Sequence, residues 1–520
     1  MQNIDVEGQL NNTEFAGLRC VRVEPIGTIT MCFPHVDEET KSILQSVMDE
    51  AENFGDFTEK LCDRVCTEAS SPLLEYFAVY FAFYLDCYTL VNRLASTGKV
   101  TDLGLPLLLL TRARRGDVVS WDEMKESMKR ALMVAPNDWI TSQLYLSWRH
   151  EAMAFYPESD VDIKPIEVIA SSVEKNTDLA FFKAFLLNMR AFGYESEHKD
   201  KEAIDQRKQA IAIARKFDEP ILMVGTICHM AGSIRATDVK QAIDLFISAR
   251  ELSERLGYKN GVGAALQNLG FIMAIRGEFD AAIEYSLEYR RIRESLGLPT
   301  QYSDQMIASM YNQMGNGEEA YQLAKTVVEF ATSTSVMRHN DNPHRDLAWA
   351  LVNLGRYDEA EAELAIASKI ATKSGDSRQM ITVQLVEGIL DKAEANYDSA
   401  TLVFKEVLDY LKNNPILPVQ NICLLNLTEI EIEMLTDESL KKNLDSSGPW
   451  MAKLVEHVEK NDLPGIAARA LLLKAELRRK QGWNDDMRKL LKQVQGIAKA
   501  PSMKYLNDLA VSMFPDIIFT

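Results

Sequence analysis

Glycine and proline are scarce in this chain of 520 residues, which has 25 glycines and 16 prolines. That scarcity excludes the collagen-like and low-complexity disordered classes. An apolar stretch after a basic start is also lacking near residue 1, so we expect no secretory signal. The most apolar segment, 72–94, carries Glu75, Asp86 and Arg93. Because charges at the centre of a bilayer are costly, this segment favours a buried core helix over a membrane span.

Basic residues are outnumbered, with 57 Lys and Arg against 76 Asp and Glu and a formal net charge of −19. Nucleic acids and anionic membranes need clustered Lys and Arg, so we expect neither as a partner. The seven cysteines are irregularly spaced and odd in number. They predict no disulfide framework and favour a reducing, cytoplasmic compartment. Cys62 and Cys66 lack a second ligand pair, which favours two buried thiols over a zinc site.

The sequence has no phosphate-binding Gly-x-x-x-x-Gly-Lys, no Gly-x-Gly-x-x-Gly, no His-Glu-x-x-His and no Gly-x-Ser-x-Gly. His339 and His344 flank a short loop where a metal could bind, although a solvated loop is the favoured interpretation. His229 follows Cys228, but neighbouring side chains on a helix point apart and make a poor nucleophile–base pair. We therefore predict no enzyme activity, no cofactor and no metal.

A short pattern recurs along the chain. It has a small residue, an aromatic residue two positions later and an alanine three positions after that. The clearest copies begin at Gly277, Gly355 and Ala395. With three weaker copies, the final alanines are residues 203, 242, 282, 320, 360 and 400, at spacings of 39, 40, 38, 40 and 40. An amphipathic helix is predicted on each side of every alanine. A small side chain is required where two helices cross closely.

This pattern resembles the tetratricopeptide repeat family, with small residues at 270, 308, 348 and 388 in the first helix of each pair. The period near forty exceeds the family's usual period of about 34 residues. It is similar to the long-helix variety found in kinesin light chain and in the sensor arms of large transcription regulators. The resemblance implies an all-α, right-handed superhelical solenoid of antiparallel helix pairs.

The resulting domain prediction has four parts. Residues 1–70 form an accessory region, and 71–184 form degenerate helical repeats. Residues 185–412 form six clear repeats, and 413–520 form degenerate repeats and a cap.

Two regions outside the clear repeats carry further predictions. Alternation of β-branched residues favours a β-hairpin at 18–33, followed by helices at 37–54 and 57–67. Region 1–70 is interpreted as a cap over the first repeat, with a small effector module as the alternative. The degenerate helix pairs are predicted at 105–115 with 121–134, 136–156 with 163–176, 416–461 and 464–498.

The resemblance also implies a concave groove lined by the first helix of each pair. Placing the family's groove positions on this chain through its alanines selects Asn188, Phe192, Arg235, Gln267, Phe271, Gln305, Ser309, Asn312, Arg345, Trp349, Asn353 and Ile389. An apolar, amide-rich surface of this kind suits a peptide or an amphipathic helix, whose backbone the amides can hydrogen-bond. The alternative is that long helices narrow the superhelix until these residues are core.

Three functions remain open at this point. The first is a protein-interaction scaffold, monomeric or homo-oligomeric, that binds another protein in the groove. The second is a signal-sensing regulatory protein whose repeat arm binds a small molecule or peptide. The third is an enzyme with an unrecognised site in 1–70, near Cys20, Cys32, His35, Cys62 and Cys66.

Overall fold

The computed structural model describes residues 36–144, 183–333, 343–436 and 448–517, except 116, 118, 138, 142, 197–198, 217–219 and 236–237. Within these ranges the regular structure is helical, with no strand. The predicted hairpin at 18–33 and most of the helix pair predicted at 136–176 lie outside the described residues.

The described residues form two compact units. Unit 1 contains those of Met1–Asn268 and Arg291–Pro299, and unit 2 contains those of Leu269–Arg290, Thr300–Ser333 and Met337–Thr520. The first twelve helices are α1 Glu38–Glu50, α2 Phe54–Thr67, α3 Pro72–Tyr84, α4 Tyr88–Ser96, α5 Leu105–Arg115, α6 Trp121–Val134, α7 Lys183–Ser196, α8 Asp200–Lys216, α9 Pro220–Ile234, α10 Val239–Leu256, α11 Lys259–Arg276 and α12 Phe279–Ser295. Helices α11 and α12 contribute residues to both units.

Unit 2 continues with eleven further helices in the described residues. They are α13 Gln301–Met314, α14 Gly317–Ser333, α15 Pro343–Asn353, α16 Tyr357–Ser374, α17 Ser377–Ala393, α18 Tyr397–Leu411, α19 Leu417–Glu433, α20 Pro449–Asn461, α21 Pro464–Lys480, α22 Asn484–Ala498 and α23 Tyr505–Met513. A 3₁₀ turn, Pro501–Met503, precedes α23.

Helix α3 is the apolar segment that the sequence assigns to the core, and all its residues from Leu74 to Phe83 are buried. The ring of Phe81 packs edge-on against those of Phe54 and Phe57 at centroid distances of 5.6 and 5.5 Å. No helix among the described residues is long and apolar enough to cross a membrane. Of the two thiols predicted to be buried, Cys62 is buried, whereas Cys66 is half-buried beside Thr97.

The six spaced alanines are all fully buried, at 0% exposure. Small residues of the first helices lie opposite them or their neighbours. A Cβ atom on Gly270 would lie 3.3 Å from the Ala282 carbonyl oxygen. A Cβ atom on Gly388 would lie 2.9 Å from the Phe404 ring. The burial of all six alanines agrees with the predicted register. At Gly270 and Gly388 the paired helices also approach too closely for a larger side chain.

The turns inside the pairs use the left-handed backbone region. Gly277, Gly315 and Gly355 have φ of 78°, 82° and 72°. Ala395 takes the same place in its repeat with φ of 62°. Because a Cβ disfavours this region, Ala395 is a point of backbone strain.

The first helices of successive pairs in unit 2 are α13, α15, α17, α19 and α21. Each packs against the next of these first helices as well as against its neighbours in sequence. They therefore form a continuous layer, and corresponding positions on them form a row that crosses several repeats.

Unit 2 has a further contact between its first helices, α11 and α12, and its later helices α19 and α21–α23, which we call the closing contact. The Ile275 carbonyl accepts a hydrogen bond from Asn421 Nδ2 at 2.9 Å, and the Gly277 carbonyl accepts one from the Tyr505 hydroxyl at 2.9 Å. The Phe279 and Tyr505 ring centroids are 5.0 Å apart, within a buried apolar cluster that joins α12 and α13 to α21, α22 and α23. These partners are 146 and 228 residues apart in sequence, so unit 2 closes on itself.

Candidate protein-binding groove

The predicted groove residues differ in how far solvent reaches them. Gln305, Asn312, Trp349 and Ile389 are buried, with exposures of 7%, 2%, 8% and 8%. The half-buried members are Asn188, Arg235, Gln267, Phe271, Ser309, Arg345 and Asn353. Phe192 lies on α7, and its side chain is outside the described residues. On the first helices of unit 2, the predicted groove residues therefore include a buried layer, formed by Gln305, Asn312, Trp349 and Ile389, with the half-buried side chains of Ser309, Arg345 and Asn353 beside it.

Asp346 is the centre of the polar contacts in this row. Its carboxylate accepts hydrogen bonds from Gln305 Nε2 at 2.8 Å and from the Arg345 guanidinium at 2.8–3.0 Å. Its backbone carbonyl accepts one from Asn312 Nδ2 at 2.9 Å. A buried carboxylate needs such partners, because an unpaired buried charge is strongly destabilising. Asp346 therefore joins α13 to α15 through a charge-assisted network.

Similar bonds continue along the first helices. Asn353 Nδ2 donates to the Asn312 carbonyl at 3.0 Å, and Arg345 Nη1 donates to Thr382 Oγ1 on α17 at 3.0 Å. The sequence predicts that groove amides hydrogen-bond a partner's backbone, but N–H groups of Gln305, Asn312 and Asn353 already donate within the chain. These amides therefore hold neighbouring repeats together in the structure, and their role in binding a partner stays a prediction.

A second polar cluster lies where α17 meets α19. The Lys392 ammonium donates to Asn426 Oδ1 at 2.7 Å and forms an ion pair with Glu429. Burial alone would raise the pKa of Glu429, but the charges of Lys392 and Arg469 outweigh burial and hold its pKa below the usual value. Glu429 is therefore stabilised as a carboxylate that links α17 and α19.

Trp349 lies in the buried run of α15, whose residues from Asp346 to Val352 are all buried. Its indole belongs to an apolar cluster that extends from α13 to α19. The sequence places Trp349 among the residues of a concave groove, with burial in the core as the alternative. In the structure the side chain packs with the core, so a partner could contact it only after the helices around it separate.

The other chemistry considered from the sequence has no assembled site in the part of the chain that the structure describes. No group of three His, Cys, Asp or Glu residues there could hold a metal. His344 Nδ1 lies 2.6 Å from Glu363 Oε2, while His339 is outside the described ranges. Burial raises the pKa of the Cys228 thiol to about 12, which disfavours the nucleophilic thiolate.

The proposed enzymatic cluster in 1–70 is described only in part. Cys20, Cys32 and His35 lie outside the described residues. Burial raises the pKa of Cys62 well above its usual range. The absence of enzyme activity stays a prediction.

Sequence reasoning missed Asp346 and the pairing of Lys392 with Glu429. Asp346 is a lone acid at the head of the apolar run Leu347–Val352. A carboxylate followed by six apolar residues on a core helix requires a partner, and that signal was available. Its donors were not predictable, because they depend on how far α13 is displaced along α15.

Paired helices with buried alanines and left-handed turns, together with the stacked first helices of unit 2, define an all-α helical-repeat fold similar to that of tetratricopeptide repeats. The predicted all-α helix-pair fold is therefore confirmed for the described residues.

No protein-family model matches the chain, and no curated protein matches it. Solved structures are similar to it at low identity and low TM-score. A tetratricopeptide repeat protein from Parabacteroides merdae is 14% identical, with 63% of this chain and 99% of that one covered and a TM-score of 0.27. Yeast Tom70 is 11% identical, with 89% and 92% covered and a TM-score of 0.35. A signal-transduction ATPase with a tetratricopeptide repeat sensor, from Pyrococcus horikoshii, is 10% identical, with 94% and 75% covered and a TM-score of 0.26.

Proposed function

We propose that this chain is a protein-interaction scaffold and that the row of first helices in unit 2 binds a peptide or an amphipathic helix of another protein. The observation that carries the proposal is the continuity of this row. Hydrogen bonds from Gln305 to Asp346 and from Arg345 to Thr382 join three successive first helices near the same repeat positions. A surface that spans several repeats suits an elongated polypeptide better than a small molecule.

The half-buried residues are the ones that a partner would touch. Arg345 retains 20% of its side-chain exposure although it bonds Asp346 and Thr382. Ser309 and Asn353 lie on neighbouring first helices and are half-buried. A partially exposed guanidinium beside a hydroxyl and an amide can bind backbone carbonyls or an acidic side chain. Buried Trp349 and Ile389 then determine the shape of the surface beneath.

A blocking substitution tests this proposal with little disturbance of the fold. Ser309→Arg adds a long charged side chain to the row, whereas Thr326→Arg places the same side chain on an exposed position of α14 as a matched control. A partner is first identified by affinity capture, and its binding to the purified chain is then measured by titration calorimetry. We expect Ser309→Arg to weaken binding about tenfold or more and Thr326→Arg to leave it unchanged.

Two results would contradict the groove assignment. One is unchanged affinity in Ser309→Arg while its helical spectrum matches that of the original chain. The other is an equal loss of affinity in Thr326→Arg, since that would place the binding surface on the second helices.

A further inference from the structure

The closing contact of unit 2 is centred on two glycines. The backbone of Gly277, in the turn between α11 and α12, touches that of Gly465 in the first turn of α21. A Cβ atom on Gly465 would overlap the Gly277 carbonyl and lie 2.8 Å from Gly277 Cα. A Cβ atom on Gly277 would lie 2.8 Å from the Ile466 nitrogen, and Gly277 also has a φ of 78°. No other residue type fits either position without separating the two turns.

Charged and polar groups surround this crossing. Arg276 Nη1 donates to Asp462 Oδ2 at 2.7 Å, and Arg276 Nε donates to Glu278 Oε1 at 2.7 Å. The Tyr505 backbone N–H donates to Asp280 Oδ2 at 2.9 Å. Together with the buried cluster of α12, α13 and α21–α23, the bonds of Arg276 to Asp462 and of Tyr505 to Asp280 hold α11 and α12 against the later helices of unit 2.

This contact is additional to what a solenoid requires. In a repeat array each helix pair is stabilised by its immediate neighbours, and contacts between distant repeats are not needed for folding. The hydrogen bonds along the first helices join residues 34 to 41 positions apart, whereas the closing contact joins residues 146 to 228 apart. Closing the unit restricts how far the first helices between its two ends can separate. Gln305, Asn312 and Trp349 lie on those helices, and all three are buried.

We propose that the closing contact regulates the groove of unit 2. While Gly277 and Gly465 are in contact, the first helices remain packed against one another and keep Gln305, Asn312 and Trp349 buried. A polypeptide partner reaches this buried layer only when the turns separate. The inference rests on the proposed function for its biological meaning, but the coupling between the contact and the groove is a property of the chain alone.

Hydrogen exchange measured by mass spectrometry on the full chain, without any partner, tests this coupling. Gly465→Ala inserts a methyl group between the two turns. Gly496→Ala makes the same change in α22, where a Cβ would meet nothing within 4 Å, and serves as the matched control. We expect Gly465→Ala to speed amide exchange in α13 and α15 about tenfold or more, as well as in α11, α12 and α21. We expect Gly496→Ala to leave these rates unchanged.

Faster exchange confined to α11, α12 and α21, with α13 and α15 unchanged, would overturn the proposal because the groove would then be independent of the contact. If Gly465→Ala loses its helical spectrum, Arg276→Gln replaces it, since that change removes the bond to Asp462 and leaves the glycine crossing intact. Arg276→Gln should produce a smaller rise in the same five helices, and no rise in α13 and α15 would again overturn the proposal. Ser309→Arg tests partner binding separately, so the two proposals fail by different measurements.

Discussion

Replacing Trp349 with alanine distinguishes a core residue from an open binding anchor. The indole is 8% exposed and packs in the cluster that extends from α13 to α19. Burial of a tryptophan removes on the order of 200 Å² of surface from water. At about 25 cal/mol per Å², this burial stabilises the fold by about 5 kcal/mol. This is an upper value because the unfolded chain already buries part of its apolar surface. We therefore expect Trp349→Ala to lower the free energy of unfolding by about 3–5 kcal/mol.

Urea denaturation followed by circular dichroism measures the overall loss, and hydrogen exchange locates it. Because repeat arrays lose stability first in the affected repeats, exchange should rise most in α14 to α17. Trp483→Ala is the matched control. That ring is half-buried before α22 and stacks 4.5 Å from the Arg478 guanidinium, so its loss should cost about 1 kcal/mol.

An unchanged denaturation midpoint for Trp349→Ala would refute the assignment of this residue to the core. It would also favour the interpretation in which Trp349 lines an open groove together with Arg345 and Asn353. Unchanged stability combined with lost partner binding would identify Trp349 as an anchor.

Two further predictions concern a turn and a titratable group. Ala395→Gly should raise the free energy of unfolding by about 0.5–1 kcal/mol in a urea titration, because it removes the strain of an alanine in the left-handed backbone region. Gly355→Ala should lower the free energy of unfolding for the same reason. A change of the same sign in both variants would contradict the strain argument. His457 Nε2 donates to Asn421 Oδ1 at 2.7 Å, and burial together with Lys460 lowers its pKa below 6.5. The pKa of His457 is lower in the folded than in the unfolded chain, so the unfolded chain binds a proton first as the pH falls. The free energy of unfolding should therefore decrease as the pH falls below 6.5 and stop decreasing below the folded pKa. His457→Gln should therefore show a smaller difference between denaturation midpoints at pH 7.5 and pH 5.5, and identical differences in both proteins would refute this assignment.

The sequence predicts the local parts of this fold well. Alanine spacing places the helix crossings, and all six alanines are fully buried. The degenerate pair predicted at 105–115 and 121–134 has the bounds of α5 and α6. These features depend on residues within one repeat or its neighbour, which is the range over which periodicity carries information.

The burial of the candidate groove could not be predicted in the same way. Whether Trp349 is open or covered depends on how closely the helices α13 to α19 pack around it, which involves several repeats at once. Gly277 and Gly465 are ordinary turn and helix glycines in the sequence, and nothing local indicates that their backbones touch. The family's groove positions are placed by register alone, so they select Gln305 and Asn312 without showing that these amides bond within the chain.

The glycine crossing also limits how unit 2 can change its length. Open solenoids gain or lose whole repeats by duplication or deletion, since each new pair needs only its neighbours. Here, adding or removing one pair between α13 and α20 would move Gly465 away from Gly277 by about the width of a helix pair, roughly 10 Å per helix. The number of helix pairs in unit 2 is therefore a condition of its closure, as the number of strands is for a barrel.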